Sequence, residues 1–251
     1  MILSVIIPAY NESEYIEATL TRLVNAIQES GIKDTDWEII VCDNNSTDNT
    51  SELAKRHGAK VIFEPENQIS KARNTGAKIA NGDWLLFMDA DTYPEKGLVT
   101  EIFKIIKEDR LIGCGSTVRV IDGSKFNKLR MERLNPLFRL FNISGGAFIL
   151  SQKEGFDYIN GFSDNLFAYE EFDFIIRLKK YGNSVKKEFK VLHKNPVITS
   201  GRKGELKLTS MFKMIFSNFV AIILFILHYI LPSTLIQRLG KKLLGFWYTD
   251  K

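Results

Sequence analysis

Short runs of apolar residues alternate, along the first part of the chain, with longer segments in which apolar positions recur every three or four residues. Leu3 to Ile7 is the first run, and Trp37 to Cys42, Lys60 to Phe63 and Trp84 to Met88 follow. Runs of this length bounded by turn residues predict strands covered on both faces. Between the first two, Ile16, Leu20, Leu23, Val24 and Ile27 share a helical face and Gly31 ends the segment. Ser51 to His57 predicts a short helix closed by Gly58, and Ile69 to Ala80 a longer one, with Asn81-Gly82 turning into the next strand. The order β-α-β-α-β-α-β predicts an α/β fold with a mostly parallel central sheet and helices on both faces.

Further along, Lys96 to Glu108 predicts a helix and Gly113 to Val120 a strand. Asp122 to Leu140 is basic and mixed and reads as a loop or a helix crossing the sheet. Phe141 to Leu150, with Gly145-Gly146, reads as a loop and strand. A helix starts near Glu170, and Val185 to His193 alternates as an edge strand would. Beyond roughly Arg202 the pattern changes. From Met214 to Leu231 only Ser217, Asn218 and His228 interrupt the apolar residues, which approaches the ~20 residues that cross a bilayer.

The expected organisation is therefore a domain over residues 1–205 and a carboxy-terminal hydrophobic helical segment over 206–251, broken at Pro232. A helix apolar on every side needs lipid or complete protein cover, so membrane attachment is expected, with a buried core helix as the alternative. Arg202, Lys203, Lys207 and Lys213 precede the apolar run, and Arg238, Lys241 and Lys242 follow it. Cations on both flanks argue against a single span and for a surface-lying or re-entrant hairpin, with Trp247 and Tyr248 at headgroup level.

Composition adds little to this outline. Apolar residues make up 45% and charged residues 25% of 251 residues, ordinary for a globular chain. A formal net charge of +4 suits a membrane surface or an anionic substrate, and no nucleic-acid partner is expected. Cys42 and Cys114 form no framework and no metal spacing, so buried thiols in a reducing compartment are expected. No basic region precedes the first apolar run, which Pro8 stops, and no signal peptide is expected.

The candidate chemistry lies at the predicted carboxyl ends of the strands, where open α/β sheets bind ligands. Asp89 and Asp91 follow the run Trp84 to Met88. Separated by one small residue, they converge if the strand turns into a loop at Ala90. Two carboxylates plus substrate phosphates are a usual setting for Mg²⁺ or Mn²⁺; a surface turn rich in Asp is the structural alternative. In the other loops, Tyr10 is suited to a base, Glu12 and Asp43 to base or ribose, and Lys71 and Arg73 to phosphate. Together they suit a nucleotide diphosphate.

Four segments, Ile7-Pro8-Ala9-Tyr10-Asn11-Glu12, Cys42-Asp43-Asn44-Asn45-Ser46-Thr47-Asp48, Lys71-Ala72-Arg73-Asn74-Thr75-Gly76 and Met88-Asp89-Ala90-Asp91, together resemble the family 2 glycosyltransferases. The resemblance covers about the first 200 residues. It implies the Rossmann-like GT-A fold and inverting transfer from a nucleotide-sugar donor. It implies further that Pro8, Tyr10, Glu12 and Asp43 line the nucleotide pocket, that Asp89 contacts the ribose or the metal, and that Asp91 coordinates the metal. Glu170-Glu171 stands where the family has an acidic pair, usually Glu-Asp, so Glu171 matches the general base, with Glu170 and Asp173 as the neighbouring carboxylates. Gly146 resembles a residue beside the donor sugar, and His193 a metal-binding imidazole of some relatives. Thr199 to Lys203 is expected to cover the diphosphate, with Arg202 as a phosphate contact; a juxtamembrane basic cluster is the alternative.

The activity expected from this resemblance is transfer to a hydroxyl of a lipid-linked or glycan acceptor at the cytoplasmic face of the cell membrane. A polyprenyl-phosphate glycosyltransferase and a nucleotide-sugar-binding membrane protein without turnover are the alternatives. The loop from Pro8 to Glu12 lacks the glycine-rich turn of dinucleotide-binding oxidoreductases and the basic glycine-rich loop of nucleotidyltransferases.

Overall fold

Alternation along the central strands divides the interior in two. In β1 (Leu3–Ala9), Leu3, Val5 and Ile7 enter one apolar cluster and Ile6 the other; in β4 (Trp84–Met88), Trp84, Leu86 and Met88 enter the first, Leu85 and Phe87 the second. Side chains of a strand point alternately to opposite faces, so two strands buried on both faces demand two covering layers. The computed structural model describes residues 2–201 and 220–244.

The first layer is α1 (Ile16–Glu29) and α4 (Lys96–Glu108), which bury Ile16, Leu20, Leu23 and Ile27, and Leu98, Val99 and Ile102. The second is α3 (Ile69–Lys78), α6 (Lys153–Tyr158) and α7 (Glu170–Ser184). Here Phe87 meets Phe162 edge-on with ring centroids 4.9 Å apart and stacks on Phe156 at 5.4 Å, while Phe162 stacks on Phe174 at 4.1 Å. Each such buried ring contributes about 1.5–3 kcal/mol by removal from water.

The remaining strands are β2 (Trp37–Asp43), β3 (Lys60–Phe63), β5 (Thr92–Tyr93), β6 (Leu111–Val120), β7 (Phe148–Gln152) and β8 (Glu188–Thr199). Among the described residues they form one sheet in the order β3-β2-β1-β4-β7-β6-β8-β5. The expected parallel arrangement holds from β3 to β4 and again between β6 and β8, but β7 runs antiparallel to both β4 and β6, and β5 antiparallel to β8. The sheet is thus mostly parallel, with β7 and β5 running against the other six strands. β8 is also not an edge strand: it lies between β6 and β5 and continues past His193 to Thr199.

The basic stretch after β6 is a helix, α5 (Lys125–Phe141). Ser124 caps it by accepting from the Asn127 backbone N–H at 3.3 Å. Asn135 of α5 then fastens the helix to β6, its Oδ1 accepting from Val118 N (3.0 Å) and its Nδ2 donating to Val118 O (2.9 Å). These bonds fall where the β6 and β8 register shifts, so the side chain replaces a missing ladder partner.

In the tail, helical residues 220–228 (α8) and α9 (Ser233–Leu244) flank Pro232. Ala221, Leu224, Ile236 and Leu244 pack with Leu166 and Ala168, just before α7. Among the described residues, no helix is long and apolar enough to cross a membrane. Residues 214–219 of the apolar run, the basic positions from Arg202 to Lys213, and Trp247 and Tyr248 lie outside the described residues.

Candidate active site

β4 ends at Met88, and the chain closes a turn in which Thr92 N–H donates to Asp89 O at 3.1 Å. This ends the strand's alternation and brings Asp89 and Asp91 onto one cavity of about 430 Å³. α1 supports the turn, since Thr19 Oγ1 donates to Ala90 O at 2.8 Å. Asp91 is 5% exposed; Ser200 Oγ donates to its Oδ2 at 3.3 Å, and Ser200 N–H donates to its carbonyl at 3.1 Å. The segment after β8 therefore covers Asp91. Asp89 is partly open.

Behind Asp89 sits Arg73 of α3, fully buried. Its Nη1 donates to Glu170 Oε1 (2.9 Å), and its Nη2 donates to Gly146 O (3.1 Å) and to Asp89 Oδ1 (3.5 Å). Its guanidinium also lies over the Phe162 ring, 5.0 Å from the centroid. One side chain thus ties together α3, the end of β4, the 145–147 loop and the start of α7. Gly146 is required by this closeness, because a Cβ there would stand 2.6 Å from Arg73 Nη2. Arg73 accordingly does not present itself to phosphate; it organises carboxylates.

α7 begins from Tyr169, whose backbone is left-handed at φ +61°. That conformation is unfavourable for an aromatic residue by about 1–3 kcal/mol, and such strain concentrates at functional sites. It turns three carboxylates in different directions. Glu170 is buried on Arg73. Asp173 is fully buried away from the cavity, accepting from Arg177 Nε (2.8 Å) and from Tyr229 Oη (3.0 Å) of the tail. Glu171 lines the cavity with Asp89 and Asp91. Burial and the neighbouring Glu170 carboxylate push Glu171 up to about 8, against the opposing pull of Arg73. A carboxyl near 8 is poised to take up or release a proton near neutral pH.

The loops after β1 and β2 interlock beside this turn. Asp43 Oδ1 accepts from Ser46 N (2.9 Å) and its Oδ2 from Ser51 Oγ (2.5 Å); Asp48 Oδ2 accepts from Ser13 N (3.1 Å), and Glu12 N–H donates to Thr50 Oγ1 (2.8 Å). Glu12 and Asp43 are buried and Tyr10 half-buried at the mouth of these loops, while Pro8 is buried within β1. Each Asp43 oxygen keeps a second lone pair, so the loop is pre-shaped with acceptor capacity left.

Two sequence candidates fall outside this constellation. Lys71 is paired with Glu66 at the start of α3 and does not line the cavity. His193 is exposed on β8 and lines a different cavity of about 400 Å³, with Arg119, Lys128 and Arg139. It is not among the residues that line the cavity of Asp89 and Asp91. Arg202 lies outside the described residues. Among the described residues no three His, Cys, Asp or Glu side chains converge as a ready-made metal cage. The cysteines play no part here: both are buried, and burial pushes the Cys42 thiol up to about 12.

Residues that the sequence patterns did not single out complete the site. Gln68 Nε2 donates to Asp164 O (2.9 Å) and Leu166 O (3.1 Å), and Asn74 Nδ2 donates to Phe162 O (2.9 Å), holding the approach to Tyr169 against α3. Asn74 stood within the motif Lys71 to Gly76, but its partners lie about ninety positions away and have no local signal.

Comparison with known proteins places this arrangement. The model of the family described as glycosyl transferase family 2 matches residues 4–165. The dolichol-phosphate mannosyltransferase of Pyrococcus furiosus is 36% identical over 157 residues, 61% of this chain and 41% of the relative. The dolichyl N-acetyl-alpha-D-glucosaminyl phosphate 3-beta-D-2,3-diacetamido-2,3-dideoxy-beta-D-glucuronosyltransferase of Methanococcus voltae is 31% identical over 166 residues, 61% of this chain and 49% of the relative. The chain thus spans less than half the length of these two curated relatives. Among solved structures, S. aureus TarS 1-349 superposes with a TM-score of 0.63 at 20% identity, covering 97% of this chain and 71% of that one. The mannosyltransferase PcManGT from Pyrobaculum calidifontis, in complex with GDP-Man and Mn²⁺, gives 0.61 at 18% identity, over 87% and 62%.

Proposed function

Because the chain belongs to glycosyl transferase family 2 and has that family's GT-A-like fold, we propose that it transfers a sugar from a nucleotide-diphosphate sugar to an acceptor hydroxyl, with inversion. The observation that carries this reading is the convergence of Glu171, Asp89 and Asp91 on one cavity. The acceptor oxygen attacks the anomeric carbon, the bond from that carbon to the diphosphate oxygen breaks, and the Glu171 carboxylate takes the hydroxyl proton. Glu170 and Arg73 set the position of Glu171 without touching substrate. Pro8, Tyr10, Glu12 and Asp43 hold the nucleotide, and Gly146 lets the backbone approach the sugar.

The donor set fits a divalent cation. Three carboxylates and one cation, Arg130, face the cavity among its described lining residues, so a diphosphate could not enter without further positive charge. Mg²⁺ or Mn²⁺ held through Asp89 and Asp91 would supply that charge to the leaving diphosphate.

The acceptor is proposed to be lipid-linked or a glycan close to the cytoplasmic face of the membrane. The apolar tail and the two lipid-named relatives support this. The domain division proposed is 1–205 for transfer and 206–251 for membrane association. A second reading, transfer to a polyprenyl phosphate, is favoured by the name of the Pyrococcus relative. A phosphate acceptor is already ionised and needs no base. Glu171→Gln separates the two: transfer to a hydroxyl acceptor should fall about 10²–10⁴-fold, whereas near-wild-type transfer to a polyprenyl phosphate would establish the second reading and refute the first.

A further inference from the structure

α5 carries an apolar stripe on its outer face. Its inner side meets β6 and the candidate cavity through Asn127, Met131, Leu134, Asn135 and Phe138. On the outer side Leu129, Leu137, Leu140 and Phe141 are 46 to 73% exposed. At about 100° per residue, Leu129, Leu137 and Leu140 fall within about a quarter turn of one another. Three large apolar side chains within a quarter turn, with Arg133 among them and exposed Phe141 at the end of the helix, are more than the scattered exposure of an ordinary surface.

The charge around this stripe is one-sided. Lys125, Lys128, Arg130, Arg133 and Arg139 stand against a single acid, Glu132, so α5 carries +4, the formal net charge of the whole chain. The rest of the protein is balanced. Among the described residues, none of the five cations is in an ion pair. A leucine stripe flanked by uncommitted cations is the pattern of a helix lying in the plane of a lipid interface, its apolar side chains inserted and its long cationic stems reaching back to headgroup phosphates.

We infer that the outer face of α5 docks on an anionic lipid surface. Leu129, Leu137 and Leu140 enter the acyl boundary, and Lys125 and Arg133, which line neither cavity, meet lipid phosphate. Since the inner face of the same helix lines the cavity through Arg130, Leu134 and Phe138, docking brings the cavity mouth to the membrane surface. The stripe belongs to α5 and includes no residue of the tail. It deepens the membrane-proximal reading of the acceptor and rests on it, but vesicle binding is measured without any transfer reaction.

The test is co-sedimentation of the full chain with vesicles of phosphatidylcholine alone or mixed equally with phosphatidylglycerol. Three variants are compared: Lys125→Glu with Arg133→Glu, Leu137→Ser with Leu140→Ser, and, in the tail, Ile222→Ser with Ile226→Ser. None of these residues lines the candidate cavity, and an unchanged thermal unfolding midpoint reports that the fold is retained. Binding to the anionic vesicles should fall at least about tenfold in each α5 variant, and high salt should reproduce the loss seen in the charge variant. Unchanged binding in both α5 variants, or loss confined to the tail variant, would overturn the inference. So would a change in self-association of the leucine variant with no change on vesicles, which would make the stripe an interface between copies. α5-dependent vesicle binding in a protein that transfers no sugar would refute the proposed function and leave the docking face standing.

Discussion

Arg73 shows how one side chain can decide the chemistry of others. Buried and bonded to Glu170, Asp89 and Gly146 O, it compensates carboxylates that would otherwise repel each other. Arg73→Ala should lower stability by about 3–5 kcal/mol in a denaturant titration, because removing one partner of a buried pair strands the others. The pH dependence belongs to Glu171. With its carboxyl pushed up to about 8, the base form is gained as pH rises, so kcat/KM for a hydroxyl acceptor should climb through neutrality and level off above about pH 8. Stability has the opposite slope. The folded state holds the Glu171 proton more tightly than the unfolded chain, where it is lost near the usual 4.3, so this contribution is present at low pH and is lost as pH rises toward about 8. Glu171→Gln should flatten both profiles. An unshifted kinetic limb near 4 would contradict the assignment. The acidic pair was legible in the sequence, but the separation of its roles was not: Asp173 is removed from the cavity by Tyr229, a residue of the tail.

Among the elements, α3 and α7 and the strands between them hold the site, and their register rests on the second apolar layer. Phe87 lies at its centre, touching Phe156, Phe162 and Phe174. Phe87→Ala should cost about 3–5 kcal/mol, read as a lowered denaturation midpoint, and should also depress activity by loosening the strand end that carries Asp89. Asn135→Leu should cost about 1–3 kcal/mol by leaving Val118 N–H and C=O without their partner. The parallel half of the sheet was readable because each strand there is a short, mainly apolar run with a helical segment after it. The other half was not. β5 is two residues long, and β8 carries Lys190, His193, Lys194 and Asn195 before its buried Val197 and Ile198, so its polar middle resembles a strand end. The strand continues past His193, and it is Thr199, six residues further on, that lines the cavity. β7 lies antiparallel between β4 and β6 and follows β6 through α5, a connection whose helical character is masked by its cations.

At the scale of the molecule, the two layers and the mixed sheet present all the candidate chemistry at one edge, the carboxyl ends of β1, β2 and β4. The fold was legible there because three ordered motifs sit at the ends of readable strands and the fourth, Lys71 to Gly76, lies in α3. The tail was legible only as apolar. Its docking against Leu166 and Ala168, with Gly240 fitted to the Phe167 ring, depends on contacts with residues some seventy positions earlier, which periodicity does not encode. The central claim is that Asp89, Asp91 and Glu171 form one transferase centre. The most direct test is release of nucleoside diphosphate from a panel of nucleotide-sugars by the full chain, with Mg²⁺, Mn²⁺ or chelator, beside Asp91→Ala. Metal-dependent release from one donor, lost in Asp91→Ala while that variant stays folded, is the predicted result. Release that persists in chelator and in Asp91→Ala would contradict the account.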